Sequence, residues 1–303
     1  MAVMFIDSWT NEDDCVRAMK SAGLLEQGQN ELGMSIRFSP RSNARYQLHR
    51  WALPTYKEAA RFLYENKNYF DSGSFIVFDA QIPHFMAEIL KRSDGSYHAE
   101  LVPGTWITSG IEPTDYADIH GGDVVFNAYQ RPRRVLARLE RQVNNDAVTG
   151  TFIPRSDEPL NTEMIKVLAR KMVETTQRLT VLSMPDMLYE CCLNQDMVVH
   201  IKEAKIMNEV DLHATVKRSQ DTYEIDAYEK LNGWDGIMPL HITVDVNKKN
   251  ADMFQKLVCD LKGRVNTVYV KYGLLTHPAI ILREAGIQPI TLRSQYKEYR
   301  FTF

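Results

Sequence analysis

The stretch "TEMIKVLARKMVETTQRLTVLSM", residues 162–184, sets the reading of the fold, because it joins one long helix to a run of strands. Met164, Leu168 and Met172 recur at every fourth residue and form one apolar face of an amphipathic helix. "LTVLSM" then reads as a strand, and "DMVVHI" and "VDLHATV" follow as further strands. "MPLHITVDV" is another strand, and the helix "NADMFQKLVCDLKG" closes at Gly263. The strands "TVYVKY" and "QPITL" and the aromatic tail "YKEYRFTF" finish the chain. Working toward the N-terminus, "GMSIRFSP", "SFIVFDA" and "YHAELV" read as strands, and Asp94-Gly95 is the turn that enters the last. "PTYKEAARFLYENKN" is helical from Pro54, with Ala59, Phe62 and Leu63 on one face. "RPRRVLARLERQ" reads as a strongly basic helix with five arginines between Arg131 and Arg141. Runs of strands without strict alternation with helices predict an α+β fold. No repeat or low-complexity linker marks a domain boundary.

With 303 residues, 44% hydrophobic and 25% charged, the chain has the composition of an ordinary soluble globular protein with a sizeable core. A net charge of −3 argues against a dedicated nucleic-acid binder and leaves only a local basic patch to consider. No apolar run approaches the length of a membrane span. The opening "MAVMFIDSWTNEDD" turns acidic too early for a secretory signal, so the expected location is the cytoplasm. Cys15, Cys191, Cys192 and Cys259 include no C-x-x-C pair, and the eight histidines are scattered, so no metal site is expected.

Among local motifs, "LKRSDGS" (Leu90–Ser96) is a hairpin turn, because Lys91 stands one residue too far from Asp94 for a nucleotidylation motif. No Walker loop, G-x-G-x-x-G or G-x-S-x-G elbow is present. Leu212, Ala214 and Val216 alternate along one face of "LHATVKRSQD", and Arg218 falls on the same side. Such an arginine either leaves the core for water or holds an anion at a pocket edge. Glu58 lies one turn before Phe62 and is either a boundary carboxylate or, if buried, a group able to exchange protons near neutrality.

These features follow one order: Arg37-Phe38 on a strand, Glu58 in "KEAARFLYENKN", "IKVLARKMVETTQRLTVLSMP", a cysteine pair followed by Gln195, and "VKRSQD". That order resembles the thymidylate synthase and pyrimidine hydroxymethylase superfamily. There a Met-Arg-Phe strand precedes a helix of the form Glu-Leu-Leu-Trp-Phe-Leu, which "EAARFL" resembles with Glu58 in the glutamate's place. The family's Arg-Arg pair corresponds to Gln177-Arg178, so one arginine is missing. Its nucleophile in Pro-Cys-His corresponds to Cys191 or Cys192 in "YECCLNQD", without the proline. Its Arg-Ser-x-Asp is reproduced by Arg218, Ser219 and Asp221. "DVNKKNADMFQ" keeps an aspartate, methionine and glutamine of the family, whereas the ribose-gripping histidine and tyrosine are Asn247 and Lys249 here. The resemblance covers residues 34–68 and 150–262 and breaks at about 69–149, which reads as an insertion.

The resemblance implies one thymidylate-synthase-like domain over residues 1–303, with a large mixed, mostly antiparallel sheet packed by helices. It implies C5 methylation or hydroxymethylation of a pyrimidine nucleotide, dUMP or dCMP. A thiolate of Cys191 or Cys192 would add to C6, and 5,10-methylenetetrahydrofolate would supply the carbon. Glu58 would relay protons, while Arg178 and Arg218 would hold the phosphate and favour the thiolate, and Ser219 would give the phosphate one more hydrogen bond. Gln195 belongs to the implied substrate-binding set, and Asp221 would fix the strand end and base loop. A homodimer is implied as well. Two other readings stay open: an inactive scaffold or binding protein of the same architecture, and a nucleic-acid surface on the arginine helix at 131–141.

Overall fold

The computed structural model describes residues 3–8, 11–29, 32–41, 48–80, 83–103, 113–130, 134–141, 148–154, 161–180, 187–194, 197–206, 215–216, 221–244, 246, 250–292 and 296–303. The chain divides into two compact units, Met1–Ile82 with Arg138–Thr151 and Pro83–Ala137 with Phe152–Phe303. The chain passes from one to the other three times, and the first passage is flanked by buried Ala80 and Pro83.

In the first unit, β1 (Val3–Ile6), α1 (Glu12–Ser21), β2 (Met34–Pro40), β3 (His49–Leu53), α2 (Tyr56–Glu65) and β4 (Gly73–Asp79) follow in turn. The strands form an antiparallel sheet in the order β1-β4-β2-β3. β4 buries Phe75 and Val77 at alternate positions, and they share a core with Met34, Ile36, Phe38 and the α2 residues Ala59, Phe62 and Leu63. Asn11 caps α1 by accepting the Asp14 N–H at 2.9 Å, and three acidic residues in the first turn complement the helix dipole.

The second unit begins with β5 (Phe85–Lys91), β6 (Tyr97–Pro103), β7 (Asp115–His120) and β8 (Asp123–Tyr129). β5 and β6 are joined by the expected turn: Arg92 donates its N–H to the Ser96 carbonyl at 2.8 Å, and Gly95 takes φ +83°. β9 (Arg134–Arg141) and β10 (Val148–Pro154), whose residues are divided between the two units, pair as a separate two-stranded sheet. The expected arginine helix at 131–141 is therefore corrected to a strand over the part described, since pairing with the next strand, β10, overrides local helix propensity.

α3 (Thr162–Thr180) forms as its four-residue spacing predicts and runs two residues into "LTVLSM"; the rest of that expected strand lies outside the described residues. β11 (Met187–Leu193) and β12 (Val199–Ile206) then complete an antiparallel sheet in the order β12-β11-β5-β6-β7-β8-β18, where β18 is the terminal Tyr296–Thr302. Residues 69–149, expected as an insertion, thus supply four adjacent strands of this sheet. Ile165, Leu168, Ala169, Met172 and Val173 of α3 are buried against Ala87, Ile89, Ala99, Leu101 and Phe126 on one sheet face. Each such large side chain contributes about 1.5–3 kcal/mol.

The remaining elements are β13 (Thr215–Val216), β14 (Tyr223–Ile225), β15 (Leu240–Ile242), α4 (Ala251–Leu261), β16 (Thr267–Val270), α5 (His277–Glu284) and β17 (Gln288–Leu292). Their strands form a parallel sheet in the order β13-β17-β16-β15-β14. α4 and α5 each link neighbouring parallel strands, and their apolar faces share one core with Leu90 and Leu188 of the antiparallel sheet. The coarse expectation of mixed α and β structure with a large antiparallel sheet holds. The parallel sheet behind it was not expected. Among the described residues, no helix is long and apolar enough to cross a membrane.

Candidate functional site

Strand periodicity puts Tyr97, Ala99 and Leu101 of β6 on the face covered by α3, and His98 and Glu100 on the other. That second face is also covered, so His98 is 4% exposed and Glu100 1%. Cross-strand pairing sets Glu100 opposite Glu88 of β5 and Tyr116 of β7, and His98 opposite Asp118. Buried ionisable groups at this density require partners.

The partners form a chain. Arg92 Nη2 donates to Asp118 Oδ1 at 2.7 Å, and the same oxygen lies 2.9 Å from His98 Nδ1. His98 Nε2 faces Glu100 Oε1 at 3.4 Å. Burial opposes the His98 imidazolium, but Asp118 and Glu100 outweigh it and push its pKa up to about 9. Burial likewise opposes the Asp118 carboxylate, yet His98 and Arg92 hold its pKa well below the usual range.

Glu100 ends the chain on the loop after β16. Its Oε1 accepts the Leu274 N–H at 2.5 Å, and its Oε2 accepts the Leu275 N–H at 2.9 Å. Two successive amides aimed at one carboxylate form an anion-binding concavity in the backbone. A Cβ on Gly273 would collide with the Glu100 carboxylate and the Thr114 hydroxyl, so this close approach requires glycine. From the other side, Arg283 Nη1 of α5 donates to the Leu274 carbonyl at 2.6 Å. Burial pushes the Arg283 pKa down, opposed by the charges of Glu100, Glu284 and Glu88.

The clamped loop leads into α5, with Thr276 as N-cap residue, His277 as first helical residue and Pro278 next. Leu274, Leu275, Thr276, Pro278 and Ala279 are buried, whereas His277 is exposed. The intrahelical ladder starts with the Ile280 N–H on the Thr276 carbonyl at 3.0 Å, so His277 sits at the positive end of the helix. The loop that leads to it leaves the carboxyl end of the parallel strand β16, where open parallel sheets present ligand-binding loops.

The residues expected from sequence fall elsewhere. Glu58 belongs to the first unit, where its N–H donates to Thr55 Oγ1 and its carboxylate accepts from that hydroxyl, both at 3.2 Å. It is half-buried and pairs with Thr55, the N-cap of α2. Cys191 and Cys192 lie in β11 on opposite sheet faces, 0% and 1% exposed. Burial pushes the Cys191 thiol up to about 12, with Cys192 and Glu190 adding to the effect. The Cys192 thiol is raised too, by burial that the Lys202 charge only partly offsets. Burial of β11 on both faces thus opposes a thiolate at either sulfur. Arg178 is exposed near the C-terminal end of α3, and Asp221 is exposed just before β14. Arg218, Ser219, Gln195, Asn247 and Lys249 lie outside the described residues. Among the described residues, no cluster of three His, Cys, Asp or Glu side chains is placed to hold a metal ion.

His98, Glu100, Asp118 and His277 were not singled out from sequence. The alternation of "YHAELV" was legible, but its polar face reads as a solvated one until a second sheet covers it. For His277 the available signal was a histidine-proline step directly after a strand and loop, at a helix start.

No family model and no curated protein matches this sequence. Among solved structures, N5-carboxyaminoimidazole ribonucleotide synthetase in complex with ADP is similar over 71% of this chain and 42% of that one, with 9% identity and a TM-score of 0.30. The Staphylococcus aureus N5-carboxyaminoimidazole synthetase with ADP gives 69% and 40% coverage, 9% identity and a TM-score of 0.27. The dinucleotide-forming acetyl-coenzyme A synthetase 1 of Ca. Korarchaeum cryptofilum gives 67% and 84% coverage, 11% identity and a TM-score of 0.33. This chain spans about two fifths of the first two proteins, and at these scores the likeness does not define the fold.

Proposed function

We propose that this chain takes up and passes on a phosphoryl group through the imidazole of His277. One observation carries the reading: His277 is the exposed side chain of an otherwise buried turn, at the first position of α5 and the end of the loop that follows β16. A neutral imidazole nitrogen is a nucleophile able to form a covalent intermediate. Its lone pair attacks phosphorus, the N–P bond forms, and the bond from phosphorus to the leaving group breaks, P–O in ATP and P–N in phosphoramidate. The electron pair leaves with that oxygen or nitrogen, as ADP or ammonia, and the second ring nitrogen keeps its proton. The phosphoryl group, dianionic or nearly so, then lies where the first-turn amides and helix dipole favour negative charge. Attack by an acceptor oxygen reverses the sequence and regenerates the imidazole.

Pyrimidine C5 transfer would instead need a thiolate at Cys191 or Cys192, and burial opposes it at both. The histidine reading needs no such group. Incubation of the chain with γ-labelled ATP, and separately with phosphoramidate, tests it by intact mass and phosphorus NMR. The expected product is one acid-labile, alkali-stable phosphoryl group that is lost in His277→Asn. No label from either donor, or label that survives in His277→Asn, overturns the proposal.

A further inference from the structure

We infer that Glu100 is the positioning residue for His277: through the amides of Leu274 and Leu275 it fixes the turn that aims the imidazole. This rests on the reading of His277 as the transferring group. Glu100 stands on β6 of the antiparallel sheet, 174 and 175 residues before the amides it holds, so the contact is made by tertiary structure alone. Only Thr276 separates the second clamped amide from His277.

The short connection is itself stiff. Thr276 Oγ1 donates to the Gly273 carbonyl at 2.7 Å, and the Thr276 carbonyl receives the first ladder bond of α5. Arg283, one and a half turns along α5, returns to the Leu274 carbonyl and ties the helix back to the clamp. The carboxylate is held from behind by His98, which Asp118 and Arg92 orient in turn. A displacement of the carboxylate is therefore passed to the backbone of the turn that carries His277. Rates that depend on a positioned nucleophile fall about 100-fold for a misplacement of about 1 Å.

A carboxylate that only filled space or balanced charge would leave His277 indifferent to its replacement. Glu100→Gln keeps the shape and one acceptor oxygen while removing the charge and the paired acceptance. Gly273→Ala presses on the carboxylate from the loop side and perturbs the same contact without touching Glu100. In both variants three quantities decide the matter: exchange protection of the Leu274 and Leu275 amides relative to Ile280, the NMR titration of the His277 imidazole, and the rate of His277 phosphorylation by phosphoramidate.

The expected result is lost protection at Leu274 and Leu275 with Ile280 retained, a displaced His277 titration, and a phosphorylation rate lowered roughly 10- to 100-fold. Wild-type protection and an unmoved His277 titration in folded Glu100→Gln overturn the inference. If wild-type His277 accepts no phosphoryl group, the functional reading fails, while exchange and titration still decide whether Glu100 sets the imidazole's position.

Discussion

His98 Nδ1 lies 2.9 Å from Asp118 Oδ1 inside the protein, and the other ring nitrogen faces Glu100. An imidazole between two carboxylates is stabilised as the imidazolium, and its pKa is raised from 6.5 to about 9. A folded-state pKa above the unfolded one contributes stability that is fully present below the unfolded value and is lost as pH rises through the folded one. Asp118, held low, contributes in the opposite sense, and its share is lost only in acid. Urea unfolding near pH 6 and again near pH 10 should therefore show a loss on the order of 3 kcal/mol attributable to His98. His98→Gln should be less stable near pH 6 and nearly flat across the same interval. A flat wild-type profile would mean that His98 is neutral and that Glu100 lacks its countercharge.

The thiols give a test of the chemistry expected from sequence. Cys15, Cys191 and Cys192 are buried and Cys259 is exposed. A soluble maleimide added to the native protein should modify Cys259 quickly and the other three only after unfolding. Cys191→Ser and Cys192→Ser should leave phosphorylation at His277 within about twofold of wild type, a change worth under 1 kcal/mol. Rapid native labelling of Cys191 or Cys192, or release of C5 tritium from labelled dUMP or dCMP, would restore the cysteine-adduct mechanism.

The elements most legible in the sequence were those whose pattern is local. α3 follows its four-residue stripe, α2 starts beside Pro54, and the Asp94-Gly95 turn joins two antiparallel strands. β11 was missed because "MLYECCL" alternates no polar residues: its Cys191 faces the α3 side, while Cys192 joins Met86 and Val102 on the other. A strand buried on both faces loses the period-two signal. β9 was misread because "RVLARLER" has helix-forming composition, and the partner strand that extends it lies several residues away in β10. His98 and Glu100 were visible as alternating polar residues, but their burial depends on a loop more than 170 residues later. What made them a site was long-range, and so not written in any single window of sequence.

Glu58 separates a capping role from a catalytic one. Its N–H and carboxylate both meet the Thr55 hydroxyl at the start of α2. Thr55→Ala should cost about 1 kcal/mol in urea unfolding, since it removes the N-cap acceptor. Glu58→Gln keeps the reciprocal hydrogen bond and should lie within about 0.5 kcal/mol of wild type. It should also leave phosphoryl transfer at His277 unchanged. A Glu58→Gln variant that folds normally but loses transfer would make this carboxylate part of the chemistry.

Tyr272 places a hydroxyl inside the core shared by α4, α5 and the parallel sheet, packed edge-on to Phe254 with ring centroids 6.4 Å apart. The residue is 0% exposed, and its hydroxyl has no hydrogen-bond partner among the described residues. Burial pushes its pKa up, so the group stays a neutral phenol. An unsatisfied buried hydroxyl costs about 1–3 kcal/mol, and removing it without changing the ring's shape recovers that cost. Tyr272→Phe should therefore raise the urea midpoint by an amount equivalent to about 1–2 kcal/mol, with no change in the slope of the transition. Tyr272 directly precedes Gly273, so the same variant reports on the loop as well. If the hydroxyl is idle, exchange of the Leu274 and Leu275 amides stays as in wild type while stability rises. A destabilised Tyr272→Phe with faster exchange at those amides would show that the hydroxyl supports the turn carrying His277.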